Sequence, residues 1–306
     1  MELLYLLEKI RFPLLDKLML VITELGNETP FLVLAFIAFW CIDKYFGYYL
    51  VSVGLVGTGV NAFLKSLFRV PRPWVIDPEF SVVEGSKEAA TGYSFPSGHT
   101  QTACTVFGTS AMYAKRKRFT VFCIVMIALV GFSRMYLGVH TPLDVSVSLA
   151  VSALLLAFFY RLIKKYEKDD RKMLYILLSF TLFFVLLLIY ALLGYDEADA
   201  NSVSTLKNAY KLLGTGIGVV LSFIMDRRVT HFETKASLGA QIIKTALGLG
   251  IVLLLKVALK ELLILVFGEV LFTTYTVRYL ILVFVGCGLY PMTFKYLNRL
   301  FSKKAK

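Results

Sequence analysis

Long apolar stretches separated by short polar or basic segments dominate the chain. Stretches such as Met173–Leu193 and Leu238–Leu259 approach the ~20 residues an α-helix needs to cross the hydrocarbon of a bilayer. The same criterion predicts nine helical spans, at about 31–47, 49–68, 98–114, 119–138, 142–163, 173–194, 207–226, 238–258 and 276–296. Residues 1–28 read differently. There apolar and charged positions alternate and Pro13 breaks the pattern, which fits an amphipathic helix, or two helices interrupted by a turn, lying at the membrane interface. Glu8, Lys9 and Arg11 interrupt the first apolar run, and no small-residue cleavage site follows, so it does not read as a secretory signal. The pattern as a whole predicts an all-α fold, a polytopic membrane helical bundle.

Composition sharpens this class. Of 306 residues 58% are hydrophobic, above the usage of soluble domains, where apolar residues are about half. The net charge of +12 would raise nucleic-acid binding for a soluble protein. Here the basic residues sit in short runs between apolar stretches and read as topology signals, so no nucleic-acid partner is expected. The runs are Lys115–Arg118, Arg161–Lys172, Arg227–Arg228 and Lys303–Lys306. Alternating the spans puts all four on one side, which the positive-inside rule makes cytoplasmic. Arg69–His99, Gly138–Thr141 and Gly194–Ala209, with Asp196, Glu197 and Asp199, then share the opposite face. Cys41, Cys104, Cys123 and Cys287 all lie in apolar stretches without CxxC spacing, so neither a disulfide framework nor a zinc site is indicated.

Three polar blocks stand at the non-cytoplasmic ends of apolar stretches: Lys65 with Arg72-Pro73, then Pro96-Ser97-Gly98-His99, then Ser133-Arg134 with His140 and Asp144. Two of the three histidines of the chain are in these blocks. Three cations, a small-residue turn and two histidines at one membrane depth suit an anion with tetrahedral oxygens. Lys65, Arg72 and Arg134 would offset phosphate charge and hold its oxygens in fixed directions. Ser97 and Gly98 would offer the N–H groups of a helix N-terminus, and Gly98 would let the backbone approach closely. His140 and His99 could divide the roles of nucleophile and general acid–base. Asp144 could bond the far ring nitrogen of His140 and fix its tautomer.

Plainer readings exist for each piece. A lone Lys or Arg near a span end ordinarily snorkels to the interface. Pro96 could simply open a helix. Thr141, Pro142 and Asp144 read as an N-cap, a first-turn proline and the third helical position of a capping box, a role compatible with orienting His140. His231 lies in the basic run Asp226–Lys235 and reads as a surface residue.

The pattern Lys65-x6-Arg72-Pro73, Pro96-Ser97-Gly98-His99 and Ser133-Arg134-x5-His140-x3-Asp144 resembles the type 2 phosphatidic acid phosphatase superfamily. Its members include lipid phosphatases, glucose-6-phosphatase and vanadium haloperoxidases. The resemblance covers residues 65–144 by motif and says little about 170–306. It implies that His140 attacks phosphorus and becomes phosphohistidine, that Asp144 orients it, and that His99 protonates the leaving oxygen and later activates water. It implies phosphate binding by Lys65, Arg72, Ser97, Gly98 and Arg134, with no metal and no cofactor. The implied fold is a six-helix catalytic core over residues 1–165; the apolar criterion adds a four-span extension of unknown role over 166–306.

The expected substrate is a membrane lipid phosphate or diphosphate: an isoprenyl diphosphate such as undecaprenyl diphosphate, a phosphatidate-type lipid or a sphingoid-base phosphate. The expected location is the plasma membrane, with the site on the extracytoplasmic face. A phosphotransferase and a sugar-phosphate phosphatase are the alternatives among enzymes, although glucose-6-phosphatase has no aspartate at the place of Asp144. A haloperoxidase would use the same pocket for vanadate, but those relatives are soluble. A transporter would need more charges within the spans than Lys244 and Lys256 supply outside the motif blocks.

Overall fold

The computed structural model describes residues 1–88, 90–267 and 272–302; the basic tail Lys303–Lys306 lies outside this range. Every regular element among the described residues is helical. The helices are α1 (Glu2–Lys9), α2 (Pro13–Glu24), α3 (Glu28–Ile37), α4 (Lys44–Phe68), α5 (Pro73–Ile76), α6 (Gly98–Ala103), α7 (Thr109–Ala114), α8 (Lys117–Tyr136), α9 (Pro142–Tyr166), α10 (Asp170–Leu193), α11 (Ala200–Met225), α12 (Leu238–Phe267), α13 (Thr273–Val283) and α14 (Phe294–Ser302). Pro13, Pro73 and Pro142 open α2, α5 and α9, the first-turn position where proline's missing N–H has no intrahelical partner to lose. The turn-interrupted pair expected in residues 1–28 is present as α1 and α2.

Each of the nine expected span ranges is largely helical, but fewer helices qualify as crossings. Six described helices are long and apolar enough to span a bilayer, or seven if the pair Pro13–Glu24 and Glu28–Ile42, bent by 44°, is one broken span. The shortfall has local causes. The segment from α6 through α7 is brief for a crossing, and the range 31–47 is interrupted at Asp43, whose extended backbone separates the end of one helix from α4. Helix α12, 30 residues long, borders residues outside the described range and is not among the six. Leu182, Leu186, Ile189 and Leu193 of α10 and Val121 and Ile124 of α8 are exposed, as expected of helices whose outer faces meet lipid.

The chain forms two compact units, each assembled from separated pieces. The first comprises Met1–Leu32, Ser52–Arg161 and Gly194–Thr205, and the second Val33–Val51, Leu162–Leu193 and the chain from Leu206 onward. In the first unit, Met19 of α2, Val83 and Ala90 of the loop after α5, and Tyr136, Leu137 and Val139 at the end of α8 form a buried apolar cluster. Full burial of one such side chain is worth about 1.5–3 kcal/mol relative to exposure. Polar ties reinforce it: Arg11 donates to the carbonyls of Tyr136 (3.0 Å) and Ser81 (2.8 Å), and Tyr5 donates to Asp77. The amphipathic start is thereby pinned to the loop, and the turn after α8 that carries His140 is held from both sides.

In the second unit Trp40 is fully buried, stacked on Phe36 and edge-on to Tyr290 and Phe294. Lys244, also fully buried, donates to the carbonyls of Trp40 (3.3 Å) and Thr234 (3.2 Å) and lies 4.5 Å from the Phe294 ring centre. Lys44 pairs with the buried Asp226 at 2.8 Å.

Candidate active site

The three polar blocks converge in the first unit. Lys65 comes from the last turns of α4, Arg72 from the residue before α5, Ser97 from the cap of α6, Arg134 from the end of α8, His140 from the turn that follows, and Asp144 from the first turn of α9. Arg72, Ser97, Arg134, His140 and Asp144 are all buried. Gly138, at φ +81°, reverses the chain between α8 and His140. A side chain there would be strained by the backbone angle and would press on Phe80 at 2.9 Å.

Helix α6 begins at a side-chain-capped N-terminus. Ser97 is the N-cap, its hydroxyl accepting from the Thr100 N–H at 3.4 Å. Pro96 therefore precedes the cap and does not open the helix. The Ser97 N–H donates to the Asp144 carbonyl at 3.1 Å, and the Ser97 carbonyl accepts from the Ser148 hydroxyl at 2.7 Å. These two bonds lock α6 to α9. On the far side Gly26 faces the His99 backbone so closely that a Cβ would sit 2.8 Å from the His99 carbonyl oxygen.

The cations are held by backbone carbonyls. Arg72 donates through Nε to Gly92 (2.9 Å), through Nη2 to Thr91 (2.8 Å) and through Nη1 to Val139 (2.9 Å), and Nη1 also lies 3.0 Å from Nε2 of His140. Lys65 donates to the Tyr93 carbonyl. Arg134 uses Nη1 to reach the Thr23 hydroxyl at 2.7 Å. Its Nε and Nη2 are buried without a hydrogen-bond partner among the described residues, as is Nε2 of His99. Buried polar atoms left unpaired in this way are costly, and the Arg134 donors suit an anion with several oxygens.

Asp144 plays the capping role in full. Its Oδ2 accepts from the Thr141 N–H at 2.7 Å, and its own N–H faces the Thr141 hydroxyl at 3.3 Å, a reciprocal capping box. The same Oδ2 accepts from the Ser94 hydroxyl at 2.6 Å. Nδ1 of His140 lies 3.5 Å from it, an electrostatic approach outside hydrogen-bond geometry, because the oxygen is already engaged twice. Burial, and then Arg72, Arg134, Lys65 and His99, hold the His140 imidazole well below its ordinary pKa, which favours the neutral ring, and Arg72 Nη1 faces the Nε2 that would do chemistry.

Sequence reasoning missed four contributors: Thr23, Ser94, Ser148 and the carbonyls of Thr91–Tyr93. Only Ser94 adjoins a motif, and a hydroxyl two residues before Pro96 was the one signal available. His231 is exposed and stands outside this constellation.

Comparison with known proteins gives the family of the chain. The PAP2 superfamily profile matches residues 45–168, and that of the PAP2 superfamily phosphatase transmembrane extension matches 210–303. Undecaprenyl-diphosphatase BcrC of Bacillus subtilis is 28% identical over 151 residues, which is 48% of this chain and 74% of that protein. Sphingosine-1-phosphate phosphatase 1 of Rattus norvegicus is 26% identical over 204 residues, 64% of this chain but only 45% of that protein. Phosphatidylglycerophosphatase B of Bacillus subtilis is 31% identical over 174 residues, 53% of this chain and 80% of that protein. No solved structure matches.

Proposed function

This chain belongs to the PAP2 superfamily, and from that membership we propose that it is an integral-membrane lipid phosphatase working through a phosphohistidine at His140. The observation that carries the reading is the juxtaposition of a buried His140 with Arg72 at 3.0 Å and with the unpartnered side-chain nitrogens of Arg134 and His99. In the proposed reaction Nε2 of His140 attacks phosphorus in line with the leaving oxygen. Lys65, Arg72, Arg134 and the N–H groups at Ser97 and Gly98 take up the charge on the equatorial oxygens. His99 protonates the leaving oxygen, then draws a proton from the water that breaks the P–N bond. Asp144 offsets the positive charge that develops on His140. Arg72 exchanges its contact with Nε2 for one with a phosphate oxygen when substrate enters.

The substrate class follows from location and relatives. A polar site at the ends of membrane-spanning helices favours a head group whose tail stays in the bilayer, and the relatives above act, by name, on lipid phosphates and a lipid diphosphate. We place the site on the extracytoplasmic face of the plasma membrane, a reading that rests on the positive-inside rule and on residues 98–114 crossing the bilayer between the site loop and the run Lys115–Arg118. Residues 1–165 are the proposed catalytic core, with 166–306 an extension.

The test uses purified protein in detergent against isoprenyl diphosphate, phosphatidate and sphingoid-base phosphate, with released phosphate as readout. His140→Ala is expected to abolish turnover of every substrate. His99→Ala is expected to suppress monophosphate hydrolysis, with its alkoxide leaving group, by about 10²–10⁴-fold, and diphosphate hydrolysis much less. Trapped label on His140 after acid-free quenching supports the covalent step. Phosphate release unimpaired in His140→Ala would overturn it.

A further inference from the structure

Both cations on the loop side of the site are aimed by one short stretch of backbone. Arg72 donates to the carbonyls of Thr91 and Gly92, and Lys65 to that of Tyr93. This stretch has no helix or strand of its own, and Gly92 takes φ +73°. Its position must therefore come from elsewhere. One anchor is Ser94, whose N–H donates to the Val70 carbonyl at 2.8 Å and whose hydroxyl donates to Oδ2 of Asp144 at 2.6 Å. The other is the Tyr93 hydroxyl, which donates to Oδ2 of Asp199 at 3.3 Å across 106 positions of sequence.

Asp199 belongs to Gly194–Thr205, a segment between α10 and the body of α11 that joins the compact unit holding the site. It stands immediately before α11, and its carboxylate is divided. Oδ1 accepts from the N–H (2.9 Å) and the side-chain amide (3.0 Å) of Asn201, capping the helix, while Oδ2 is left to reach Tyr93. The Asn201 N–H first, with its side chain and Tyr93 contributing, holds the Asp199 carboxyl below the usual carboxylate range, so at neutral pH it is an acceptor.

We propose that Tyr93 and Asp199 are positioning residues: their hydrogen bond fixes the Thr91–Tyr93 carbonyls, and through them the directions in which Lys65 and Arg72 meet a substrate phosphate. The segment between α10 and α11 is then a working part of the active site. This rests on the phosphatase reading above. A capping residue with no further role would affect only stability, so the test needs a readout that capping does not move.

Full-length wild type, Tyr93→Phe, Asp199→Asn and the double variant are compared in detergent. Tyr93→Phe removes only the hydroxyl, and Asp199→Asn keeps an oxygen for the Asn201 N–H, so both are expected to fold. KM for a lipid phosphate and Ki for inorganic phosphate are each expected to rise about five- to tenfold, the scale of one hydrogen bond, with kcat changed far less. The double variant should be no worse than the worse single, because the two side chains act as one unit. Unchanged Ki in both singles, a fall in Tm without a change in Ki, or a double variant equal to the product of the singles would each overturn the proposal. Direct binding of inorganic phosphate separates the two readings. A wild type that binds phosphate but releases none from any lipid sinks the phosphatase reading alone, and the same variants then test positioning by their phosphate Kd.

Discussion

Asp144 is asked to do two things, and substitution separates them. Its Oδ2 caps α9 through the Thr141 N–H, accepts from Ser94 and lies 3.5 Å from Nδ1 of His140. Asp144→Asn keeps an oxygen for Thr141 and Ser94 but removes the charge. At 3.5 Å, a unit charge acts on an imidazolium with about 5 kcal/mol at an effective dielectric of 20. If about four-fifths of that is felt when His140 becomes cationic in the transition state, kcat falls about 10³-fold, near the loss on the same change in a serine-protease triad, about 10⁴. The fold should hardly notice. Asp144→Ala also leaves the buried Ser94 hydroxyl and the Thr141 N–H, its capping-box bond on α9, without their acceptor, at about 1–3 kcal/mol each. Its Tm is then expected to fall by several degrees as well. The measurements are kcat by phosphate release and Tm by intrinsic fluorescence, on the same preparations. An Asn variant with more than a tenth of wild-type kcat, beside an Ala variant that fails only by unfolding, would make Asp144 a helix cap and nothing more.

Three further outcomes are expected. If the charge partners of the phosphate are Lys65, Arg72 and Arg134, as proposed, phosphate release should persist in excess chelator and be inhibited by vanadate; loss in EDTA with recovery on adding magnesium would contradict this. The acid limb of kcat/KM that reports free His140 should lie below its ordinary value of about 6.5. Arg134→Gln removes one of the cations that repel the imidazolium, so it should move that limb to higher pH, and movement to lower pH would show that the charge logic is wrong. For topology, cysteine at the exposed Glu88 should react with an impermeant thiol reagent outside intact cells and cysteine at the exposed Lys117 should not; labelling of Lys117→Cys alone would put the site inside. Ser86, in the same loop, is unsuitable because it is buried.

The parts legible in the sequence share a physical character. Apolar stretches announce their own helices because a bilayer-spanning backbone must satisfy its hydrogen bonds internally, so the helix positions could be read without knowing what packs where. What composition could not give was which segments are complete crossings, since that turns on breaks such as Asp43 and on the brevity of the segment from α6 through α7. The capping box at Thr141 and Asp144 was legible for the same local reason: both partners lie within one helical turn. The short spacing also showed that one carboxylate could serve two purposes. It did not show that the capping N–H and Ser94 would take the oxygen first and leave His140 at 3.5 Å.

What stayed hidden is held together by contacts remote in sequence. Thr23 reaches Arg134 across 111 positions and Tyr93 reaches Asp199 across 106, and in neither pair does spacing carry any signal. In the proposed site both pairs do the same kind of work. A phosphate-binding cation has several donors, and grip in a chosen direction requires that some be spent on the protein so that the rest are aimed. Arg134 spends Nη1 on Thr23 and keeps Nε and Nη2, while Arg72 and Lys65 donate to a backbone stretch whose Tyr93 hydroxyl donates to Asp199. Motifs record the groups that meet the substrate, because the chemistry fixes their identity. The groups that aim them need only an oxygen in the right place, which a threonine, a serine or any carbonyl supplies. Such groups become visible only when the fold brings the oxygen and the cation together.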